Sequence, residues 1–204
     1  MPGPIDVVVF DLGNVLIPWD RRFLVDKLID DPDKREFFLT HILSMEVNAE
    51  VDRGRPLPEV CAELVELHPE YETPIRAFGD RWIETIDDAI ADSVELLSQL
   101  RQAPVRLLAL SNWGRDTFEL ARPRYPFLDW FEAMVISGQE GIVKPEPEIF
   151  RLLMHRHQVN PATALFIDDS AANIAAGQLM GFETHHFTEP ALLQADLIAR
   201  GLLP

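Results

Sequence analysis

Short, continuous apolar runs recur along this chain: "IDVVVF" at 5–10, "VRLLAL" at 105–110, "AMVIS" at 133–137, "ALFI" at 164–167 and a weaker "ETHHF" at 183–187. They are rich in β-branched residues and do not alternate with polar ones. Each is therefore expected to be a strand buried on both faces. Helical patterns separate them from residue 88 onward. "EIFRLLMHRH" (148–157) places Ile149, Phe150, Leu153 and Met154 on one face. "SAANIAAGQLMG" opens with Ser170 as N-cap and closes at Gly181 as C′ residue. "TEPALLQADLIARG" repeats that grammar, with Thr188 as the cap, Pro190 at the first helical position and Gly201 at the end. Strand and helix in alternation predict an α/β fold with a parallel sheet wrapped by helices.

Residues 20–87 break the alternation, because no strand pattern appears there. "REFFLTHIL" puts Phe37, Phe38, Ile42 and Leu43 at helical spacing. "TPIRAFGDRWIETI" aligns Ile75, Phe78, Trp82 and Ile86 on one stripe, behind Thr73 as N-cap and Pro74 at the next position. "PEVCAELVELHP" is bounded by prolines, and its Cys61, the one cysteine, reads as a core residue. We therefore expect an α/β core made of residues 1–18 and 88–204, with an all-helical cap inserted at 19–87.

The chain has 204 residues, enough for one sizeable domain with such an insertion. With 18 Lys plus Arg against 34 Asp plus Glu, its net charge is −16. That charge repels nucleic acid and anionic membrane surfaces, so neither is expected as a partner. An anionic substrate would need a local positive centre or a metal. A lone cysteine allows no intramolecular disulfide. No apolar run approaches the ~18 residues of a membrane span. The start of the chain lacks a charged region followed by an apolar one, and a cytoplasmic setting is expected. The sequence carries no signal for oligomeric state.

Ligands of parallel α/β sheets bind beyond the carboxyl ends of the strands. Three such ends carry polar groups: Asp11 after "VVVF", Ser111-Asn112 after "LLAL" and Asp168-Asp169 after "ALFI". A single aspartate there could simply be a turn or cap residue. Two adjacent carboxylates at a buried strand end repel each other by about 1–4 kcal/mol, and a hard cation such as Mg²⁺ would relieve them. Lys144, in "GIVKPEPEIF", stands in an apolar setting fixed by Pro145, and the other two lysines, Lys27 and Lys34, lie in the helical block.

Taken together these segments resemble the haloacid dehalogenase-like (HAD) hydrolase superfamily over nearly the whole length. The first family motif, four apolar residues and D-x-D-x-[TV], is matched by "VVVFDLGNV" from Val7 to Val15. Ser111 matches the second motif, Lys144 the third, and the Asp168-Asp169 pair the fourth. The helical insertion resembles the family's C1 cap, and the opening "FDLGNV" is similar to that of a phosphatase branch. The resemblance implies an Mg²⁺-dependent phosphatase acting on a small phosphorylated metabolite, with a sugar phosphate among the options. Asp11 would be the nucleophile and form an aspartyl phosphate. Ser111, Asn112 and Lys144 would hold the phosphoryl group. Asp11, the Gly13 carbonyl, Asp168 and Asp169 would hold the metal.

The departure from the pattern is Gly13, where the family carries a second aspartate as acid and base. Three readings follow: another group substitutes, with Asp20 the candidate; the leaving group needs little protonation, as in a sugar 1-phosphate or acyl phosphate; or the enzyme is slow. Trp19, Arg21, Arg22, Arg53 and Arg55 are expected to face the substrate from the cap. Two rival readings share these motifs. A 2-haloacid dehalogenase uses the same nucleophile without a metal, which the Asp168-Asp169 pair opposes. A non-catalytic phosphate-binding protein would explain Gly13, but not the retention of Asp11, Lys144 and both acids.

Overall fold

The computed structural model describes residues 4–204. Five parallel strands form one sheet in the order β3-β2-β1-β4-β5. They are β1 (Val7–Phe10), β2 (Arg106–Ser111), β3 (Ala133–Ile136), β4 (Ala164–Asp168) and β5 (Glu183–His186). All five expected strands form, and the α/β architecture is the expected one. β1 is central and buried throughout, as its unbroken apolar run requires. Side chains alternate across a strand. Val8 and Phe10 therefore enter one core, and Val7 and Val9 the core on the other face.

Between β1 and β2 the chain is helical: α1 (Arg22–Leu28), α2 (Pro32–Phe37), α3 (Met45–Asp52), α4 (Leu57–Leu67), α5 (Glu72–Asp80) and α6 (Ala91–Leu100). The two ends of this block meet. Trp19 and Ile86 form an antiparallel bridge, flanked by the Asp20 N–H to Thr85 C=O bond at 2.9 Å and the Asp87 N–H to Pro18 C=O bond at 3.2 Å. Its apolar stripe is nonetheless continuous with the sheet: Leu24, Phe38, Ile75 and Trp82 belong to the same buried cluster as Phe10 and Ile167. Cys61 is buried there, and burial pushes its thiol up to about 11, which suits a core residue and not a nucleophile.

Two local expectations in the block fail for stated reasons. Thr73 does not cap α5. A 3₁₀ turn over Pro69–Tyr71 runs directly into the helix, so α5 starts at Glu72 with Thr73 inside it. Phe37 is 43% exposed, because α2 widens into a π-helical turn over Phe38–Ile42. The Phe37 ring stacks instead on His41 at 4.6 Å.

After β2 come α7 (Arg115–Ala121), α8 (Ser137–Glu140), α9 (Pro147–His157), α10 (Ala171–Leu179) and α11 (Pro190–Ala199). Ser170 caps α10 by accepting from the Asn173 N–H, and Gly181 follows its end at φ 93°. In α11 Pro190 takes the first position as expected, but Glu189, not Thr188, is the cap residue. No helix among the described residues is long and apolar enough to cross a membrane.

Within the core, α8 packs on the loop between β2 and α7 through close backbone approaches. A Cβ on Gly138 would lie 2.4 Å from the Arg115 nitrogen and 2.8 Å from the Trp113 carbonyl oxygen. Neither backbone atom can rotate away. Gly138→Ala is therefore expected to destabilise the protein by about 1–3 kcal/mol, read as a lowered urea midpoint at unchanged slope.

Candidate active site

Parallel register brings the ends of β1, β2 and β4 level. Phe10 pairs with Ala109 on one side and Ile167 on the other, so Asp11 and Asp168 emerge side by side, with Ser111 one residue farther along β2. The Asp11 N–H still bonds the Ile167 carbonyl at 2.8 Å, which fixes its backbone as a continuation of the strand. Its carboxylate is fully engaged. Oδ1 accepts from the Ser111 hydroxyl at 2.7 Å and from the Leu12 N–H at 2.7 Å. Oδ2 faces the Lys144 ammonium at 2.9 Å.

Lys144 Nζ also donates to Asp168 Oδ2 at 2.7 Å, so one buried ammonium bridges two buried carboxylates. Burial alone would depress the Lys144 pKa, but Asp11 and Asp168 outweigh it and hold the lysine above its ordinary value. Burial pushes the Asp11 carboxyl up to about 7, and Asp168 adds to the rise, while Lys144 and Ser111 restrain it. Asp169 is raised as well, by burial first and then by Asp168.

Asn112 serves Lys144 rather than the cavity alone. Its amide donates to the Lys144 carbonyl at 2.9 Å and accepts from the Lys144 N–H at 2.8 Å, clamping that backbone to the end of β2. On the other side, Asp168 Oδ1 accepts from the Ser170 N–H at 2.8 Å and from Asn173 Nδ2 at 3.0 Å. Asn173 was not anticipated. The signal was its position in the first turn of α10, five residues beyond Asp168 and aimed back at the strand end.

Carboxylate oxygens of Asp11, Asp168 and Asp169 lie within 4.8 Å of one another. Three hard oxygen donors so close, two of them with raised pKa, fit a divalent cation such as Mg²⁺. Gly13 lines the same cavity. Its φ is not positive. The left-handed residue of this turn is Asn14, at φ 54°, whose side-chain oxygen accepts from the Trp19 N–H at 2.9 Å. A Cβ on Gly13 would meet nothing within 4 Å, so the space beside Asp11 is open.

The cavity above these groups measures about 420 Å³. Trp19, expected to face substrate, lines it with Trp82 and Trp113. From α3 come Met45, Asn48, Val51 and Asp52, none of them anticipated. The other expected contacts lie elsewhere. Asp20 is exposed, and its Oδ1 accepts from the Arg22 N–H at 2.8 Å, outside the cavity lining. Arg22 pairs with Glu36, Arg53 with Glu146, and Arg55 with Glu50 and Glu63, all at the surface. Arg21 donates to the Leu39 carbonyl at 3.1 Å and does not line this cavity either.

The model of one family, the haloacid dehalogenase-like hydrolases, matches residues 5–181. The chain belongs to this family. Among HAD-like relatives, a D-ribitol-5-phosphate phosphatase of Bacteroides thetaiotaomicron is 28% identical over 190 residues, covering 87% of this chain and 89% of that protein. A sesquiterpene phosphatase of Aspergillus oryzae is 25% identical over 183 residues, 89% of either chain. The crystal structure of a HAD family enzyme from B. thetaiotaomicron superposes with a TM-score of 0.75. It is 25% identical and covers 90% of this chain and 94% of that one. That structure is of an aspartate-to-alanine mutant in complex with magnesium and inorganic phosphate.

Proposed function

We propose that this HAD-like hydrolase is an Mg²⁺-dependent phosphatase that cleaves the phosphomonoester of a small metabolite through an aspartyl phosphate on Asp11. The observation that carries the reading is the three-carboxylate cluster set against the buried Lys144 ammonium. Full-length similarity to two phosphatases, and to a fold that binds magnesium with phosphate, supports it. The cluster also opposes a metal-free 2-haloacid dehalogenase, which has no use for three converging carboxylates.

In this reading Ser111 and Lys144 orient Asp11 and present donors to the phosphoryl oxygens. Asn112 acts through Lys144, as a positioning residue. Asp168 holds the other side of the lysine and, with Asp11, Asp169 and the Gly13 carbonyl, provides the metal ligands. Bound Mg²⁺ supplies charge neutralisation to the phosphoryl oxygens, which offsets the net −16 of the chain locally. Asp11 attacks phosphorus as the ester oxygen departs, and water then cleaves the aspartyl phosphate. The helical block at 19–87 is the cap in this account. Its Trp19, Trp82, Met45 and Val51 give the cavity an apolar wall for the organic part of the substrate.

A phosphate-release screen over phosphorylated metabolites, with p-nitrophenyl phosphate as the general probe, tests this reading. Release is expected to stop in excess EDTA and to return with added Mg²⁺. No chloride should be released from 2-chloropropionate. Turnover that survives exhaustive chelation would overturn the metal assignment.

A further inference from the structure

A phosphatase of this design needs an acid for the departing oxygen and a base for the attacking water. Position 13 has no side chain, and Asp20 is turned to the surface. Asp11 and Asp168 are paired with Lys144, and Asp169 converges with them as the third carboxylate of the cation cluster. One further carboxylate lines the cavity: Asp52, in the last turn of α3.

Asp52 is held there by the core. The Ser137 hydroxyl donates to the Asp52 carbonyl at 2.6 Å and accepts from the Trp113 N–H at 2.9 Å, tying α3 to the loop that follows Ser111 and Asn112. On one side of Asp52, a Cβ on Gly114 would come within 2.6 Å of Val51 Cγ1; on the other, a Cβ on Gly54 would come within 2.6 Å of the Gly138 carbonyl oxygen. Approaches this close leave α3 little freedom to slide. The side chain accepts from Asn48 Nδ2 at 2.9 Å through Oδ2, one turn back on the same helix. The charged group whose field reaches it is Lys144.

We propose that Asp52 is the acid and base of this enzyme, donated by the helical block to the cavity that Gly13 also lines. The inference rests on the phosphatase reading. In the first step the Asp52 carboxyl gives its proton to the ester oxygen as the P–O bond breaks and Asp11 bonds to phosphorus. The products are the free alcohol, the aspartyl phosphate and an Asp52 carboxylate. In the second step a water oxygen bonds to phosphorus and its proton passes to Asp52. The P–O bond to Asp11 breaks, and its electron pair returns to the Asp11 carboxylate. Inorganic phosphate leaves, and both aspartates are as they began. Burial pushes the Asp52 carboxyl up to about 7, against the pull of Lys144 and Asn48, so both of its forms are accessible near neutrality.

The test is the first turnover of aryl phosphates graded from p-nitrophenyl to p-methoxyphenyl phosphate, in the presence of Mg²⁺, by rapid quench. With an acid in place, the rate should depend weakly on leaving-group basicity. Asp52→Asn should steepen that dependence, losing about 10²-fold or more at the basic end and far less with p-nitrophenyl phosphate. Its slowed second step should appear as a burst of p-nitrophenolate. Asp52→Ser, which vacates the carboxylate, repeats the measurement if the amide disturbs α3. Losses equal for all leaving groups, or a wild-type series as steep as the variant's, would overturn the assignment. Wild-type protein that releases no phosphate from any member of the series would instead overturn the phosphatase reading itself.

Discussion

Asp11→Asn is expected to reduce steady-state phosphate release by more than about 10³-fold, the scale on which an acting nucleophile is lost. An amide nitrogen does not attack phosphorus, and the cation would lose one charged oxygen. The fold should survive. The asparagine oxygen can still accept from the Ser111 hydroxyl and the Leu12 N–H, which together hold Oδ1 in the parent. The Lys144 ammonium keeps Asp168 as its partner at 2.7 Å. The variant also removes one of two buried carboxylates that repel each other, so its urea midpoint without metal should stay near the parent's or exceed it. Phosphate binding in the presence of Mg²⁺, followed calorimetrically, should persist while turnover is lost. A variant keeping more than a few per cent of parental turnover would show that another group attacks phosphorus.

The residues around Asp11 were legible because local grammar places them. Asp11, Ser111 and Asp168 each end an apolar run, and in a parallel sheet those ends converge whatever the loops do. Lys144 was legible from its apolar neighbours and the proline behind it. Asp52 and Asn48 were not. They sit in "SMEVNAEVDRGR", a polar stretch that offers no periodicity to say which side faces inward. Their direction is set by the docking of α3 on Ser137, Gly114 and Gly138, residues that lie more than sixty positions away in the chain. The cap arginines show the converse. A guanidinium beside a glycine turn looks like a phosphate clamp, but with 34 acidic residues in the chain an exposed arginine finds a glutamate nearby, as Arg53 and Arg55 do. Gly13 leaves the acid's place to another side chain. Sequence proximity pointed to Asp20, which is spent on the N–H of Arg22 at the start of α1.

Lys144→Met should cost stability and activity together, and the two losses should respond oppositely to pH. The ammonium lies 2.9 Å from Asp11 and 2.7 Å from Asp168, and its side chain has no solvent exposure. Methionine fills a similar volume but leaves two buried carboxylates facing each other. Removing one partner from such a buried set costs about 3–5 kcal/mol, because the remaining charges stay desolvated. The loss should appear in urea unfolding with EDTA present. Added Mg²⁺ should stabilise the variant more than the parent, since the cation would take over part of the lysine's charge. The sign of the pH effect follows from Asp11. Its folded pKa is already raised above the unfolded value of 3.8 to about 7, and losing Lys144 raises it further. A carboxyl raised on folding costs stability above its unfolded pKa, and the cost grows until pH passes the folded pKa. Parent and variant share that cost below about pH 7, so the variant's extra deficit from this group should be full in alkaline buffer and vanish as pH falls to about 7. Activity should move the other way, since protonation removes the nucleophile. At neutral pH kcat/KM should fall by about 10²–10³-fold, the cost of losing a preorganised electrostatic donor. A variant whose urea midpoint in EDTA matches the parent's at every pH would show that Lys144 does not hold the two aspartates together.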